Sequence, residues 1–329
     1  MGLARVCVVI AAYNARDTIR RAVASALAEP EVAEVIVFDD ASTDDTSAIA
    51  KLAGDGTSRL KVMRSDINVG PSVGRNRAIA SSSAPLISIL DADDFFVPGR
   101  FASILSVADW DLIADNILFV SDAAQANDFK EPADIRKKPT VLDAPGFVAG
   151  NLPNKRFARG QLGFLKPVVS REFLDRHNLR YNEAMRLGED YDLYLRCLVK
   201  GATFKLLKTC GYCAVVRDNS LSSRHATEDL KNLYLADMTV LGQPNLDLNL
   251  RSVLSDHAAH IRSRYEHRWF LDLKRSRGLF AAAGFLSSSP RRFKTITSAI
   301  LRDKMNDIFP RNASTMSGSR LLIPVDSSV

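Results

Sequence analysis

The sequence predicts an α/β fold: a mostly parallel central sheet with helices on both faces, followed by a helical, basic C-terminal extension. Three observations predict it. Over residues 1–100, apolar runs of strand length alternate with helix-spaced segments, the pattern of successive β–α units. Aspartates cluster where those runs end. The charge is also split along the chain: residues 1–250 carry 30 basic and 32 acidic side chains, whereas residues 251–329 carry 14 and 6, a net +8.

Val6 to Ala12 (VCVVIAA) is a continuous apolar run suited to a strand buried on both faces. Ile19, Ala22, Val23, Ala26 and Leu27 then recur at helical spacing, and Pro30 closes that segment. Val35 to Phe38 is the second strand and runs into Asp39-Asp40. Thr43 can cap the next helix, with Asp44 and Asp45 favouring its dipole. Leu60 to Met63 reads as a third strand, Pro71 to Ala80 as a helix, and Leu86 to Leu90 as a fourth strand ending in Asp91-Ala92-Asp93-Asp94. Ser121 to Lys138 is polar and reads as a surface loop. A second ordered block, Phe164 to Val216, contains Gly188-Glu189-Asp190 opening a helix and a strand pair from Ala202 to Val216. From Ala226 the pattern is helical and basic, and residues 312–329 read as a frayed tail.

The composition, 46% hydrophobic and 25% charged in 329 residues, is that of a globular chain with one large domain and an appendage. No stretch approaches the ~18–20 apolar residues of a membrane span, and the N-terminus lacks a signal-peptide pattern. Four cysteines are too few for a disulfide framework, so a reducing, cytoplasmic setting is expected. Cys210-Gly211-Tyr212-Cys213 has C-x-x-C spacing without a second ligand pair and reads as packing. His257 and His260 read as surface residues of polar helices.

In open parallel sheets, ligands sit beyond the carboxyl ends of the strands. Tyr13, Asp39-Asp40 and Asp91–Asp94 all fall there, so one cleft is expected to collect a ring and several carboxylates. Carboxylates brought together repel one another, and a divalent cation relieves this, with substrate phosphates as further ligands. An Asp-x-Asp at a strand end suits that task; a turn or helix cap is the competing reading. The first strand–helix junction, Ala11-Ala12-Tyr13-Asn14, lacks the G-x-G-x-x-G of dinucleotide-binding folds, which disfavours a nicotinamide or flavin dehydrogenase. A Tyr there offers a face for a planar base.

The runs CVVIAAYNA, EVIVFDDASTDDT, NVGPSVGRNRAI, SILDADDF and LGEDYDLYLR, in order over residues 7–196, strongly resemble family-2 glycosyltransferases. The resemblance implies the GT-A fold and inverting sugar transfer from a nucleotide diphosphosugar; among relatives, it points to bacterial exopolysaccharide glucosyltransferases of the succinoglycan type. It implies a catalytic domain over 1–225, with 1–115 the nucleotide-binding half and 116–225 the acceptor-binding half. A helical extension over 226–311 and the tail 312–329 follow. By the same resemblance, Ala11 and Tyr13 line a uracil pocket, Asp40 or Asp39 reaches the base, and Arg75 lies near the nucleotide. Asp91 and Asp93 handle ribose and metal (Mg²⁺ or Mn²⁺), with Asp94 adjacent enough to be the ligand. Glu189-Asp190 supplies the base, placed on Asp190. Arg217 and Ser220 to Arg224 fall where the family closes a loop over the diphosphate. The implied partners are a UDP-sugar, glucose being the expected sugar, and a glycan or lipid-linked oligosaccharide acceptor, with no nucleic acid.

Two readings of the basic C-terminus stand side by side: a peripheral contact with the inner face of an anionic membrane, or a helical appendage packed on the catalytic domain. Two rival functions are also open. A sugar-nucleotide pyrophosphorylase would need a Gly-rich basic loop after the first strand, which Ala11 to Asp17 does not supply. A non-enzymatic receiver-like or sugar-binding module would leave Gly188-Glu189-Asp190 without a role.

Overall fold

A computed structural model of the chain describes residues 5–121, 139–153, 162–216, 226–308 and 319–324. The chain forms two compact units, Met1–Asp218 with Gly318–Val329, and Asn219–Ser317. In the first unit the elements are β1 (Val6–Ala12), α1 (Ile19–Leu27), β2 (Val32–Asp39), α2 (Thr46–Leu52), β3 (Leu60–Arg64), α3 (Pro71–Ala80), β4 (Leu86–Ile89) and β5 (Phe95–Phe96). They continue with α4 (Arg100–Leu105), β6 (Leu112–Val120), β7 (Thr140–Val141), α5 (Ala144–Ala149), β8 (Val168–Ser170), α6 (Arg171–Arg176), α7 (Glu189–Val199) and β9 (Phe204–Val215). The second unit holds α8 (Thr227–Leu241), α9 (Leu248–Ser287) and α10 (Pro290–Ile308); β10 (Arg320–Leu321) returns to the first.

The strands form one sheet in the order β3-β2-β1-β4-β8-β6-β9-β5, with β10 paired to β6 and β7 to β9. The first four strands are parallel, Val9 standing opposite Ile36 on one side and Ile89 on the other. β1 is therefore flanked on both edges and covered on both faces. This explains its unbroken apolar run: Val6 through Ile10 are fully buried. Beyond β4 the sheet is mixed, because β8 enters antiparallel to both β4 and β6 while β6 and β9 run parallel.

Two expectations are corrected here. Ala202 to Val216 is not a strand pair; Phe204–Val215 is one strand whose register against β6 shifts around Asn116. Gly211 produces no turn. It stands where a Cβ would meet Arg100 Cγ at 2.4 Å and Asp115 Oδ2 at 2.5 Å, so its missing side chain admits a buried ion pair. Arg100 donates from Nε and Nη2 to Asp115, from Nη1 to Ser88 Oγ and from Nη2 to the Lys166 carbonyl (2.5 Å). The second correction concerns the tail: Arg320–Leu321 within it join the sheet. Arg320 and Leu321 pair with Phe119 and Leu118, and Leu322 and Ile323 are buried. Asn116 donates to the Ile323 carbonyl and accepts from its amide, which fixes the segment (2.8 and 2.9 Å). A tail that carries Leu-Leu-Ile can repay its ordering entropy by burial.

The four cysteines are buried and lie outside any disulfide. Burial pushes the Cys7, Cys197 and Cys213 thiols up to about 12, so they behave as small apolar side chains. In the helical unit, His257 is not a surface residue. It is buried on α9, with Nδ1 2.7 Å from Asp237 Oδ2 of α8, tying the two helices together.

Candidate active site

Four elements bring charged side chains to the carboxyl edge of the parallel strands. Asp91 follows β4, and Arg75 projects from α3. Lys166 precedes β8, and Glu189 and Asp190 open α7, whose N-cap Gly188 has φ 70°. Arg75 donates from Nη1 to Glu189 (2.7 Å) and from Nη2 to Asp91 (3.0 Å), and Nη1 lies 3.6 Å from Asp190 Oδ1. Lys166 Nζ donates to Asp190 Oδ2 at 2.7 Å and lies 2.9 Å from Asp91 Oδ2. Three carboxylates thus enclose two cations, all against the start of one helix, where its dipole also favours negative charge.

Burial alone would lower the basicity of Lys166 and Arg75. The neighbouring carboxylates, Asp190 foremost, outweigh it and hold both firmly protonated. Burial pushes the Asp91 carboxyl upward, but Lys166 and Arg75 overcome this and hold it down at about 2. Tyr181, whose ring lies under the Arg75 guanidinium at 5.3 Å, is kept protonated by burial and then by the Asp190 charge. Asp190 is asymmetric: Oδ2 is tied to Lys166, while Oδ1 is buried, 3.6 Å from Arg75 Nη1, without a hydrogen-bond partner among the described residues. An ionised carboxylate oxygen with open lone pairs is what proton abstraction requires.

The other expected site residues divide into two groups. Tyr13 stands at the end of β1 and is 46% exposed, two residues after half-buried Ala11. Asp93 is half-buried at the end of β4, and its carbonyl accepts from Arg21. These residues share the carboxyl edge with the charged cluster. Asp94, by contrast, is held by the surrounding framework. It is 7% exposed; Oδ1 accepts from the Val215 amide (2.9 Å) and Oδ2 from the Tyr212 hydroxyl (2.8 Å). Burial, then the Asp91 and Asp93 charges, push its carboxyl up.

Asp40 and Asp39 are also engaged. Asp40 is buried and accepts from the Val69 and Gly70 amides (2.7 and 2.8 Å), holding the loop that starts α3. Asp39 accepts from the Ser42 amide, the Ser47 hydroxyl and Arg64. Burial opposes its charge, but those donors outweigh it and lower its carboxyl. Arg217 and Ser220 to Arg224 lie outside the described residues.

Lys166 has no counterpart among the sequence-derived candidates. Its one signal is position: a lone cation between Leu165 and Pro167-Val168-Val169, surroundings that bury a charge only beside partners. Tyr212 was legible only as part of the C-x-x-C run. Its hydroxyl in fact links Asp94 to the Asp91 amide, accepting from the latter at 3.1 Å.

Residues 7–155 match the model of glycosyl transferase family 2. The chain is 52% identical over 306 residues to the succinoglycan biosynthesis protein ExoU of Rhizobium meliloti, covering 93% of this chain and 89% of that one. Among solved structures it resembles S. aureus TarS in complex with UDP-GlcNAc, with a TM-score of 0.61 at 17% identity over 89% of this chain and 83% of that one. It also resembles a mannosyltransferase from Pyrobaculum calidifontis in complex with GDP-Man and Mn²⁺, with a TM-score of 0.56 at 15% identity over 94% and 89%. These two likenesses are to the fold, and the extent of the match to ExoU carries the assignment: the chain belongs to glycosyltransferase family 2 and has the GT-A fold.

Proposed function

We propose that the chain transfers a sugar, glucose by the resemblance, from a UDP-sugar to a growing bacterial exopolysaccharide on a lipid carrier, with inversion at the anomeric carbon. The observation that carries this reading is Oδ1 of Asp190, which lies inside a charge-compensated cluster and accepts no hydrogen bond among the described residues. In the proposed reaction it accepts the proton of an acceptor hydroxyl as that oxygen attacks the anomeric carbon opposite the departing diphosphate. Arg75 and Lys166 lie against Asp190 and fix its orientation; Glu189 orients Arg75. Tyr13 offers its exposed face to the base. The likeness to a relative named for succinoglycan biosynthesis supports an exopolysaccharide acceptor, and a fold neighbour holding UDP-GlcNAc supports a uridine donor.

The donor set suits a cation that arrives with its substrate. Among the described residues, no three His, Cys, Asp or Glu gather as a closed cage, and Asp94 is sealed. Mg²⁺ and Mn²⁺ are commonly held by one or two carboxylates together with substrate phosphates, and Asp93 with its neighbour Asp91 fits that role. Such a cation, when bound, would neutralise charge on the departing diphosphate. The manganese of the mannosyltransferase neighbour supports the assignment.

The test is a thermal-shift series with UDP, UDP-glucose, UDP-GlcNAc and GDP-mannose, with and without Mn²⁺. Uridine ligands at about 100 times Kd should stabilise the protein by about 2.7 kcal/mol, and metal should enhance the effect. Indifference to all four would overturn the reading.

A further inference from the structure

The helical unit carries an unassigned surface. α9 breaks at Gly278 (φ 80°, ψ 178°), a conformation that side chains with a Cβ rarely adopt. A Cβ there would meet open space, so the glycine serves the turn and not a close approach. The corner is held from inside: Phe270, Ala282 and Ile296 form a small core, with Leu273, Phe285, Leu286 and Ile300 packed on it. Buried Glu266 accepts from Arg262 (2.9 Å) and Arg292 (3.4 Å), and Arg292 lies 4.1 Å over the Phe285 ring.

The two residues after the break are presented outward. Leu279 is 66% and Phe280 96% exposed. Lys274, Arg275 and Arg277 precede them and Arg291 and Lys294 follow on α10, all exposed, with no acidic residue from 273 to 298. A rigid corner with an apolar tip and a cationic collar is complementary to an anionic bilayer. The tip can enter the headgroup–acyl boundary while the collar meets lipid phosphates. A purely acidic protein would answer the collar and leave the tip in water.

We propose that the Gly278 corner is a membrane-docking element, with Leu279 and Phe280 inserted into an anionic lipid surface and Lys274, Arg275 and Arg277 on its phosphates. It deepens the proposed lipid-carried acceptor and rests on that reading for its purpose, while its test needs neither donor nor acceptor.

The full chain is sedimented with vesicles of phosphatidylcholine alone and of phosphatidylcholine mixed with phosphatidylglycerol. Binding at least tenfold stronger to the anionic vesicles and weakened by salt is expected. The pair Leu279→Asp and Phe280→Asp should reduce it at least tenfold with helical circular dichroism unchanged. In a separate variant, Phe280→Trp should shift its emission to the blue on anionic vesicles. Equal binding to both vesicles, full binding by the Asp pair, an unshifted tryptophan, or self-association without vesicle binding would each overturn the proposal. Thermal response to UDP is recorded on the same preparations without vesicles. Lost vesicle binding with an intact UDP response overturns docking alone, and the reverse pattern overturns the donor assignment alone.

Discussion

Lys166→Met removes one cation from the cluster and keeps most of the apolar stem. The lost Nζ lies 2.7 Å from Asp190 and 2.9 Å from Asp91, and removing one partner of a buried ion pair typically costs 3–5 kcal/mol. Two features reduce this. The Asp91 side chain is 34% exposed, so water reaches it, and Arg75 remains 3.0 Å from Asp91 and 3.6 Å from Asp190. About 2–3 kcal/mol is therefore expected, roughly 5–10 °C in Tm for a unit of this size. The variant should also depend less on pH in acid. Asp91 is depressed to about 2, so its contribution is present above the ordinary carboxylate pKa of about 3.9 and lost as pH falls toward 2. With Lys166 gone the depression shrinks, so the variant has less of this contribution to lose and its stability deficit against wild type narrows as pH falls toward 2. The assay is thermal unfolding from pH 2 to 8 of wild type, Lys166→Met, Asp190→Asn and the double variant. If the uncompensated Asp190 charge is the cause, the double variant should be more stable than the sum of the single changes by about 1 kcal/mol or more. Strict additivity, or a Lys166→Met protein within about 0.5 kcal/mol of wild type, would refute the argument.

Asp190→Asn should lower turnover by at least about 100-fold while leaving UDP-induced stabilisation in place, since the base contributes in the transition state and not in nucleotide binding; single-turnover kinetics beside the thermal-shift series separates the two. Inversion predicts a β-linked product from an α-linked UDP-sugar, and an α-anomeric proton signal would contradict it. Gly211→Ala places a methyl 2.4 Å from Arg100 Cγ and 2.5 Å from Asp115, and should destabilise by about 2 kcal/mol or more, read as a lower midpoint in urea. Deleting residues 319–329 strips Asn116 of both its contacts to Ile323 and should cost about 2 kcal/mol or more by the same assay.

The parts of the fold that could be read from sequence are those fixed by local pattern. β1 and α3 announce themselves because the first is apolar throughout and the second begins with Pro after Gly70. The acidic strand ends were visible too, but not which carboxylates are consumed by the fold. Asp40 and Asp94 look like any other strand-end aspartates until the register brings the Val69, Gly70 and Val215 amides to them. The purpose of Gly211 was hidden for a related reason: its missing side chain answers one 111 residues earlier in the chain, at Arg100. Lys166 was illegible because its partners Asp91 and Asp190 come from distant segments and leave no spacing to recognise.

The return of β10 has a consequence for biosynthesis. Residues 219–317 must leave the ribosome before the last strand exists, so the upper part of β6, around Leu118 and Phe119, waits with one edge uncovered while a whole helical unit is being made. An open strand edge invites pairing with another nascent chain. Production conditions that stall or clip translation within those hundred or so residues should therefore yield aggregates, not a smaller working protein.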